Sequence, residues 1–285
     1  MIKLCAFADE ASANLQEQIT ALKENGISLI EIRNVNGKNV SNFTNEEVLE
    51  YKKAFDENGI SVWSIGSPIG KVDISTDFNE YLKTVKRVYE IANLFNAKRV
   101  RAFSFFNAFE NKTEVIKRLQ VMCDLAKEYG LIFCHENEKE IYGDELPRVL
   151  EIATEVKNIK LVYDPANYLQ CNQNATTCLQ KTYEYTEYFH IKDVDTKTGE
   201  LVPAGFGDGN IKNLIQTLKG KNAVLTIEPH LKVFEGYSNI DTTEMKNRFE
   251  FKTNREAFDT AVSSLKKVIL SCGYKEEKGD FIVWK

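Results

Sequence analysis

Short apolar runs alternate with longer amphipathic stretches along the 285 residues of the chain. Apolar runs of about four to eight residues predict buried β-strands, and apolar positions at helical spacing predict helices between them. Eight such runs occur, over residues 2–7, 29–32, 61–65, 99–103, 131–134, 160–163, 188–191 and 223–227. Eight strands, each followed by a helix, fit a closed (β/α)₈ barrel of about 250 residues better than an open doubly wound sheet.

The predicted helices begin and end at recognisable residues. Ser12 is predicted to open the first helix, and Thr44, with Glu47 three residues later, forms a capping box that opens the second. Further helices are predicted over residues 78–95, 113–129, 145–156, 211–218 and 255–269, whereas 176–187 is ambiguous because Thr and Tyr crowd it. No linker or composition shift divides the chain, so we expect a single α/β domain, a TIM barrel, over residues 1–285.

The composition is typical of a well-packed globular protein, with 43% hydrophobic and 28% charged residues. The net charge of −5 and the scattered Lys and Arg argue against a nucleic-acid or membrane surface as partner. The amino end turns acidic at Asp9, too early for a secretion signal, and no later run is long enough to span a bilayer. We therefore expect a cytoplasmic protein, and its six cysteines, without a C-x-x-C pair, to be reduced, buried thiols.

Polar residues follow the last four predicted strands, at the end of the barrel where such folds carry their active sites. Glu136, Asp164, His190 and Glu228 stand about one βα unit apart, so their side chains can converge from adjacent strands. Two Glu, one Asp and one His form a hard, mostly oxygen ligand set, and carboxylates this close would repel one another without a cation. The sequence therefore predicts one divalent metal ion at the barrel mouth: Mn²⁺, Mg²⁺, Co²⁺ or Zn²⁺.

Each of these four residues also has a purely structural explanation when it is taken alone. Asp164 could cap a helix or a turn, and Glu136 could belong to a solvated charged loop. His190 could be a core histidine bonded to a backbone carbonyl, and Glu228 could pair with a lysine. The metal hypothesis depends on all four occurring at matching strand ends.

Five segments together resemble the xylose isomerase-like TIM barrel superfamily (sugar phosphate isomerase/epimerase, AP endonuclease 2-type), which includes ketose 3-epimerases, inosose dehydratases and endonuclease IV. They are His135-Glu136-Asn137-Glu138, Asp164-Pro165-Ala166-Asn167, His190-Ile191-Lys192-Asp193, Gly205-Phe206-Gly207-Asp208-Gly209-Asn210-Ile211 and Thr226-Ile227-Glu228-Pro229-His230. The resemblance spans nearly the whole chain and implies that Glu136, Asp164, His190 and Glu228 are the metal ligands. Asn167 departs from the epimerase pattern, which has His there, and an Arg shortly after the metal His is not obvious in this chain.

The resemblance implies a metal-dependent isomerase or epimerase of a small sugar, sugar phosphate or polyol-derived ketone. In the related epimerases two metal-bound glutamates lie on opposite sides of the substrate, so Glu136 and Glu228 would exchange a proton with an enediolate as acid and base. An inosose-type dehydratase on the same metal site and a non-catalytic sugar-binding barrel are the alternatives. The zinc cluster of endonuclease IV is disfavoured because the chain has three histidines and an acidic charge. The expected partner is a sugar-type small molecule, without nucleic acid or membrane, and a homodimer is possible.

Four further residues are predicted to contact substrate: Lys192, Asn167, Glu138 and Lys71. Lys192 shares strand parity with His190, which allows an inward or, as readily, an outer position. Glu138 shares parity with Glu136 and could replace it as ligand. Other polar residues end the earlier strands, where they could line the pocket or form ion pairs: Glu31, Arg33 and Arg101.

Residues 230–254 form a long stretch without a clean period, and four aromatics lie within it. Long segments in compact domains are often lids, and exposed aromatics favour association. We expect a lid or a subunit-contact arm in which at least two aromatics are buried. The four are Phe234, Tyr237, Phe249 and Phe251.

Overall fold

A computed structural model of the chain describes residues 1–235, 237 and 248–283. The described strands are β1 (Ile2–Ala6), β2 (Leu29–Ile32), β3 (Asn34–Val35), β4 (Lys38–Asn39), β5 (Ser61–Gly66), β6 (Arg99–Ala102), β7 (Ile132–Glu136), β8 (Lys160–Tyr163), β9 (Thr186–Ile191), β10 (Asp193–Asp195), β11 (Glu200–Val202), β12 (Ala223–Ile227), β13 (Tyr274–Glu277) and β14 (Asp280–Val283). The described α-helices are α1 (Leu15–Glu24), α2 (Asn45–Glu57), α3 (Phe78–Leu94), α4 (Lys112–Glu128), α5 (Leu146–Glu155), α6 (Pro165–Gln170), α7 (Ala175–Thr182), α8 (Ile211–Thr217) and α9 (Asn254–Ser271).

Eight parallel strands close into a barrel in the order β1, β2, β5, β6, β7, β8, β9, β12. Closure comes from β1, which pairs in parallel with β12 along its whole length, from Ile2 opposite Ala223 to Ala6 opposite Ile227, and with β2 on its other edge. The predicted single-domain (β/α)₈ fold is confirmed. Three short antiparallel hairpins, β3–β4, β10–β11 and β13–β14, were not predicted, and β14 pairs with the barrel at β1.

All eight predicted strands occur, with ends shifted by one or two residues. The predicted opening of the first helix at Ser12 is wrong, because the side chain of Asn14 accepts hydrogen bonds from the backbone N–H groups of Gln16 and Glu17 and caps α1. The capping box of Thr44 and Glu47 is confirmed at α2. The ambiguous stretch 176–187 resolves into the end of α7 and the start of β9.

The interior of the barrel is filled by inward-facing side chains. Those of Cys5, Cys134, Val162, Tyr188 and Val224 pack together there, one inward position before the residues that end their strands. This layer closes the barrel below the mouth and supports the polar groups above it. Five of the six thiols are buried, as expected, and that of Cys171 is half-buried. Among the described helices, none has both the length and the apolar composition needed to cross a membrane.

Candidate active site

The barrel brings the four predicted ligands together at its C-terminal mouth. Glu136 ends β7, His190 is the penultimate residue of β9, and Asp164 and Glu228 directly follow β8 and β12. All four side chains are buried, and one ligand atom from each lies within 4.8 Å of the others. Asp164 also caps α6, since its Oδ1 accepts a hydrogen bond from the Asn167 backbone N–H at 2.9 Å. Its capping role and a ligand role are compatible, because the second oxygen points into the cluster.

Two oxygens in this cluster have the surroundings that a metal ligand needs. Asp164 Oδ2 and Glu228 Oε2 are fully buried and accept no hydrogen bond of normal geometry from the described residues. They have only ion pairs: Lys192 Nζ lies 3.2 Å from Asp164 Oδ2 and 3.9 Å from Glu228 Oε2, and His190 Nδ1 lies 3.2 Å from Glu228 Oε2. Buried carboxylate oxygens without hydrogen-bond donors and an imidazole nitrogen are ligands that a divalent cation accepts. The residues present therefore fit a metal ion.

The same crowding perturbs the protonation equilibria of the cluster. Burial raises the pKa of Asp164 to about 6, against the opposing effect of Lys192. Burial would also raise the pKa of Glu228, but the charges of Lys192 and His190 outweigh burial and lower it. Burial disfavours a charged imidazole, yet Glu136, Glu31 and Glu228 together raise the pKa of His190 above its ordinary value. The cluster is thus held by charge pairing and favours bound cationic groups.

Two arginines hold the outer oxygens of the two glutamates. Arg33 Nη1 lies 2.9 Å from Glu228 Oε1, and Arg101 Nη1 lies 3.4 Å from Glu136 Oε2. The remaining oxygens, Glu136 Oε1 and Glu228 Oε2, face His190 Nδ1 at 2.9 and 3.2 Å. Each glutamate is therefore fixed at one oxygen by an arginine and presents the other to the centre of the cluster.

The four predicted substrate residues lie around this centre. Lys192 is buried and points inward, towards Asp164. Asn167 Nδ2 donates to the Asn137 carbonyl at 2.9 Å and to Glu136 Oε1 at 3.4 Å. Glu138 does not join the cluster of four, since its Oε2 pairs with Lys71 Nζ at 3.3 Å. These positions place Lys192 beside the cluster and Lys71 with Glu138 farther out.

Three polar residues near the site were not predicted as part of it. Asp9 and Glu10 follow β1, and both contact the Arg33 guanidinium, at 2.9 and 3.3 Å. His230 Nε2 lies 3.4 Å from Glu10 Oε1 and 3.6 Å from Glu228 Oε1. Glu10, Glu228 and His230 form a second group whose ligand atoms are close enough for a metal, but the guanidinium already occupies the same two oxygens. The rule applied to the later strands, that polar residues ending a strand reach the mouth, would have found Asp9 and Glu10.

The aromatic segment after β12 packs against this part of the site. Phe234 and Tyr237 are both buried, with ring centroids 5.8 and 5.5 Å from that of His230. The Phe234 ring also lies 5.0 Å from the Arg33 guanidinium carbon. At least two aromatics are thus buried, as predicted. Residues 236 and 238–247, which include the tip of the expected lid, lie outside the described residues, so its role as a lid or subunit contact stays a prediction.

Comparison with known proteins places this geometry in a family. Residues 19–268 match the family model described as "Xylose isomerase-like TIM barrel". A curated relative, the 3-dehydroshikimate dehydratase of Bacillus anthracis, is 19% identical over 180 residues, which is 61% of this chain and 64% of the relative. The chain thus matches slightly less than two thirds of that relative's length.

Solved structures share the fold at low sequence identity. An L-ribulose 3-epimerase superposes with a TM-score of 0.74 at 16% identity, over 95% of this chain and 96% of its own. The IOLI protein, solved with a bound zinc atom, superposes with a TM-score of 0.72 at 19% identity, over 94% of this chain and 98% of its own. From the match to the family model over most of its length, the chain belongs to the xylose isomerase-like TIM barrel family.

Proposed function

We propose that the protein is a divalent-metal-dependent isomerase or epimerase of a small sugar, sugar phosphate or polyol-derived ketone. The observation that carries the proposal is the buried convergence of Glu136, Asp164, His190 and Glu228 at the barrel mouth. These four residues would hold the ion, which would be Mn²⁺, Mg²⁺, Co²⁺ or Zn²⁺. When bound, a divalent ion supplies Lewis-acid stabilisation of the enediolate that forms when the proton beside a carbonyl is removed.

Glu136 and Glu228 are the acid and base of the proposed reaction. Both face His190 Nδ1 and are held from outside by Arg101 and Arg33, so two carboxylates are presented to a substrate from different sides of the barrel mouth. One glutamate removes the α-proton, and the other returns a proton to the opposite face or to the neighbouring carbon. The arginines keep both carboxylates oriented, which lowers the cost of reaching a reactive geometry.

Lys192 favours a second candidate function on the same site. Its buried ammonium group, 3.2 Å from Asp164 Oδ2, lies where it could donate a proton to a departing hydroxyl group. The α-proton removal described above, followed by loss of a β-hydroxyl, is a dehydration. A dehydratase, of the inosose type or another, is therefore the alternative, and the 3-dehydroshikimate dehydratase among the relatives is consistent with it.

Hydrogen exchange with solvent tests the proposal for a product of any structure. The metal-loaded protein is incubated in D₂O with a panel of ketoses, ketose phosphates, inososes and cyclic hydroxyketones. An isomerase or epimerase is expected to give products of which some carry one deuterium and have unchanged composition, and a dehydratase gives products that have lost one water. Exchange and turnover should fall by at least about 10²-fold in Glu228→Gln, which keeps a ligand oxygen but loses the base.

The matched control for Glu228→Gln is Glu187→Gln. Glu187 is on β9 but at the opposite end of the strand from the mouth, where it pairs with Arg99 at 2.7 Å. Wild-type turnover is expected in this variant. Near-normal turnover in Glu228→Gln, or no exchange with any compound in the metal-loaded wild type, would count against the proposed chemistry.

A further inference from the structure

The imidazole of His190 makes a contact on the side facing away from the ligand cluster. Its Nδ1 faces Glu136 and Glu228, whereas its Nε2 lies 3.0 Å from Glu31 Oε2. Glu31 is on β2 and His190 on β9, so the contact crosses the barrel interior, and both side chains are fully buried. A completely buried carboxylate with this geometry needs a function that outweighs its desolvation.

Glu31 is itself fixed by further hydrogen bonds in the barrel. The Tyr188 hydroxyl donates to Glu31 Oε1 at 2.7 Å, and Ser64 Oγ lies 3.0 Å from that hydroxyl and 3.4 Å from the same carboxylate oxygen. Arg101 Nε adds a weaker contact at 4.0 Å. Glu31 Oε1 is thus occupied by neutral donors, and Oε2 is left for His190.

A neutral imidazole can bind a metal through only one nitrogen, and the other then carries the hydrogen. An ionised carboxylate accepts hydrogen bonds and donates none, so Glu31 holds the hydrogen on Nε2. The Nδ1 lone pair is then directed towards Glu136, Glu228 and the centre of the cluster. The edges of Phe7 and Tyr188 contact the ring as well, with centroids 5.2 and 5.5 Å away, and restrict its rotation.

We propose that Glu31, supported by Tyr188 and Ser64, is a positioning residue that selects the Nε2–H form of His190 and raises the affinity of the Nδ1 side for a divalent metal ion. This inference rests on the metal centre of the proposed function. Outer partners of ligand histidines typically contribute about 10–100-fold to metal affinity. Glu31 acts through His190 and is not expected to touch the substrate.

Metal affinity of matched variants tests the inference. The dissociation constants for Mn²⁺ and Zn²⁺ are measured by titration of the metal-free protein against a competing chelator, in wild type, Glu31→Gln, Tyr188→Phe and the control Glu187→Gln. The expected result is a loss of about 10–100-fold in Glu31→Gln, less than about tenfold in Tyr188→Phe, and no change in the control. The visible spectrum of the Co²⁺-loaded Glu31→Gln protein should differ from that of wild type, because the imidazole ligand is reoriented.

The outcomes separate this inference from the proposed function. A wild-type protein that binds neither metal would refute the metal centre. A wild-type protein that binds, with Glu31→Gln affinity within about threefold and an unchanged Co²⁺ spectrum, would refute the role of Glu31 alone. If Glu31→Gln does not fold, ¹⁵N NMR of the His190 ring in zinc-loaded wild-type protein decides: hydrogen on Nε2 with metal on Nδ1 supports the inference, and metal on Nε2 overturns it.

Discussion

Arg33 is the residue whose removal should disturb the site most strongly, and Arg33→Met is the informative change. The guanidinium is almost fully buried and contacts three carboxylates, Asp9 at 2.9 Å, Glu10 at 3.3 Å and Glu228 at 2.9 Å. Each contact is worth about 5 kcal/mol of attraction at roughly 3 Å and an effective dielectric of about 20, largely offset by desolvation. Removing one partner of a buried pair costs about 3–5 kcal/mol, and three uncompensated carboxylates favour the upper end.

The free energy of unfolding should be measured by chemical denaturation of metal-free protein. The expected loss is about 5 kcal/mol at pH 8 and less at pH 5, because the carboxylates left without Arg33 have raised pKa values and are stabilised by taking up protons as the pH falls. The control is Arg255→Met, an exposed arginine whose Nε lies 2.8 Å from Asp259, with an expected loss below about 1 kcal/mol. A loss below about 1 kcal/mol in Arg33→Met would refute the reasoning.

The same variant tests why Glu10, Glu228 and His230 do not need a second ion. With the guanidinium gone, these three side chains should accept a divalent cation, since their ligand atoms already lie within 4.8 Å of one another. The metal content should rise from one ion per chain in wild type to two in Arg33→Met, and Zn²⁺ at 100 times its dissociation constant should return about 2.7 kcal/mol of stability. Two ions in wild type, or one in the variant, would contradict this account.

Two further predictions concern buried groups beside the site. Asp193 accepts hydrogen bonds from the backbone N–H groups of Gly205, Gly207 and Gly209 at 2.8–3.1 Å, so Asp193→Ala should cost about 3 kcal/mol or more and loosen residues 205–209, which hydrogen exchange would detect; unchanged protection there would contradict it. His135 is fully buried, and burial lowers its pKa to about 3 from an ordinary value near 6.5, so its contribution to stability is complete above pH 6.5 and is lost as the pH falls towards 3. Denaturant titrations of metal-free protein between pH 7 and 4 should therefore show a slope reduced by up to about 1.4 kcal/mol per pH unit in His135→Gln, and parallel slopes would refute it.

The barrel and the four candidate ligands could be predicted because both follow from local pattern. Apolar runs fix the strands, chain order fixes which strands are neighbours, and residues at the carboxyl ends of parallel strands share one edge. Glu136, Asp164, His190 and Glu228 satisfy that rule, and the structure brings them together. Their roles as ligands remain a proposal.

The groups that surround the ligands could not be predicted in the same way. Tyr188 and Glu31 are 157 residues apart and meet only because β2 and β9 face each other across a closed barrel. Arg33 and Glu228 are 195 residues apart, and the sequence allowed either a pocket residue or an ion pair at Arg33. The structure shows that Arg33 is an ion pair that also borders the site. Such cross-barrel partners depend on side-chain reach, which spacing along the chain does not encode.

Anomalous diffraction from crystals of the protein soaked with Mn²⁺ or Zn²⁺ tests the central claim most directly. The account predicts one strong anomalous peak at the C-terminal mouth of the barrel, about 2.0–2.3 Å from atoms of Glu136, Asp164, His190 Nδ1 and Glu228. A peak bound elsewhere, for example between Glu10 and His230, or no peak in metal-saturated crystals, would contradict it.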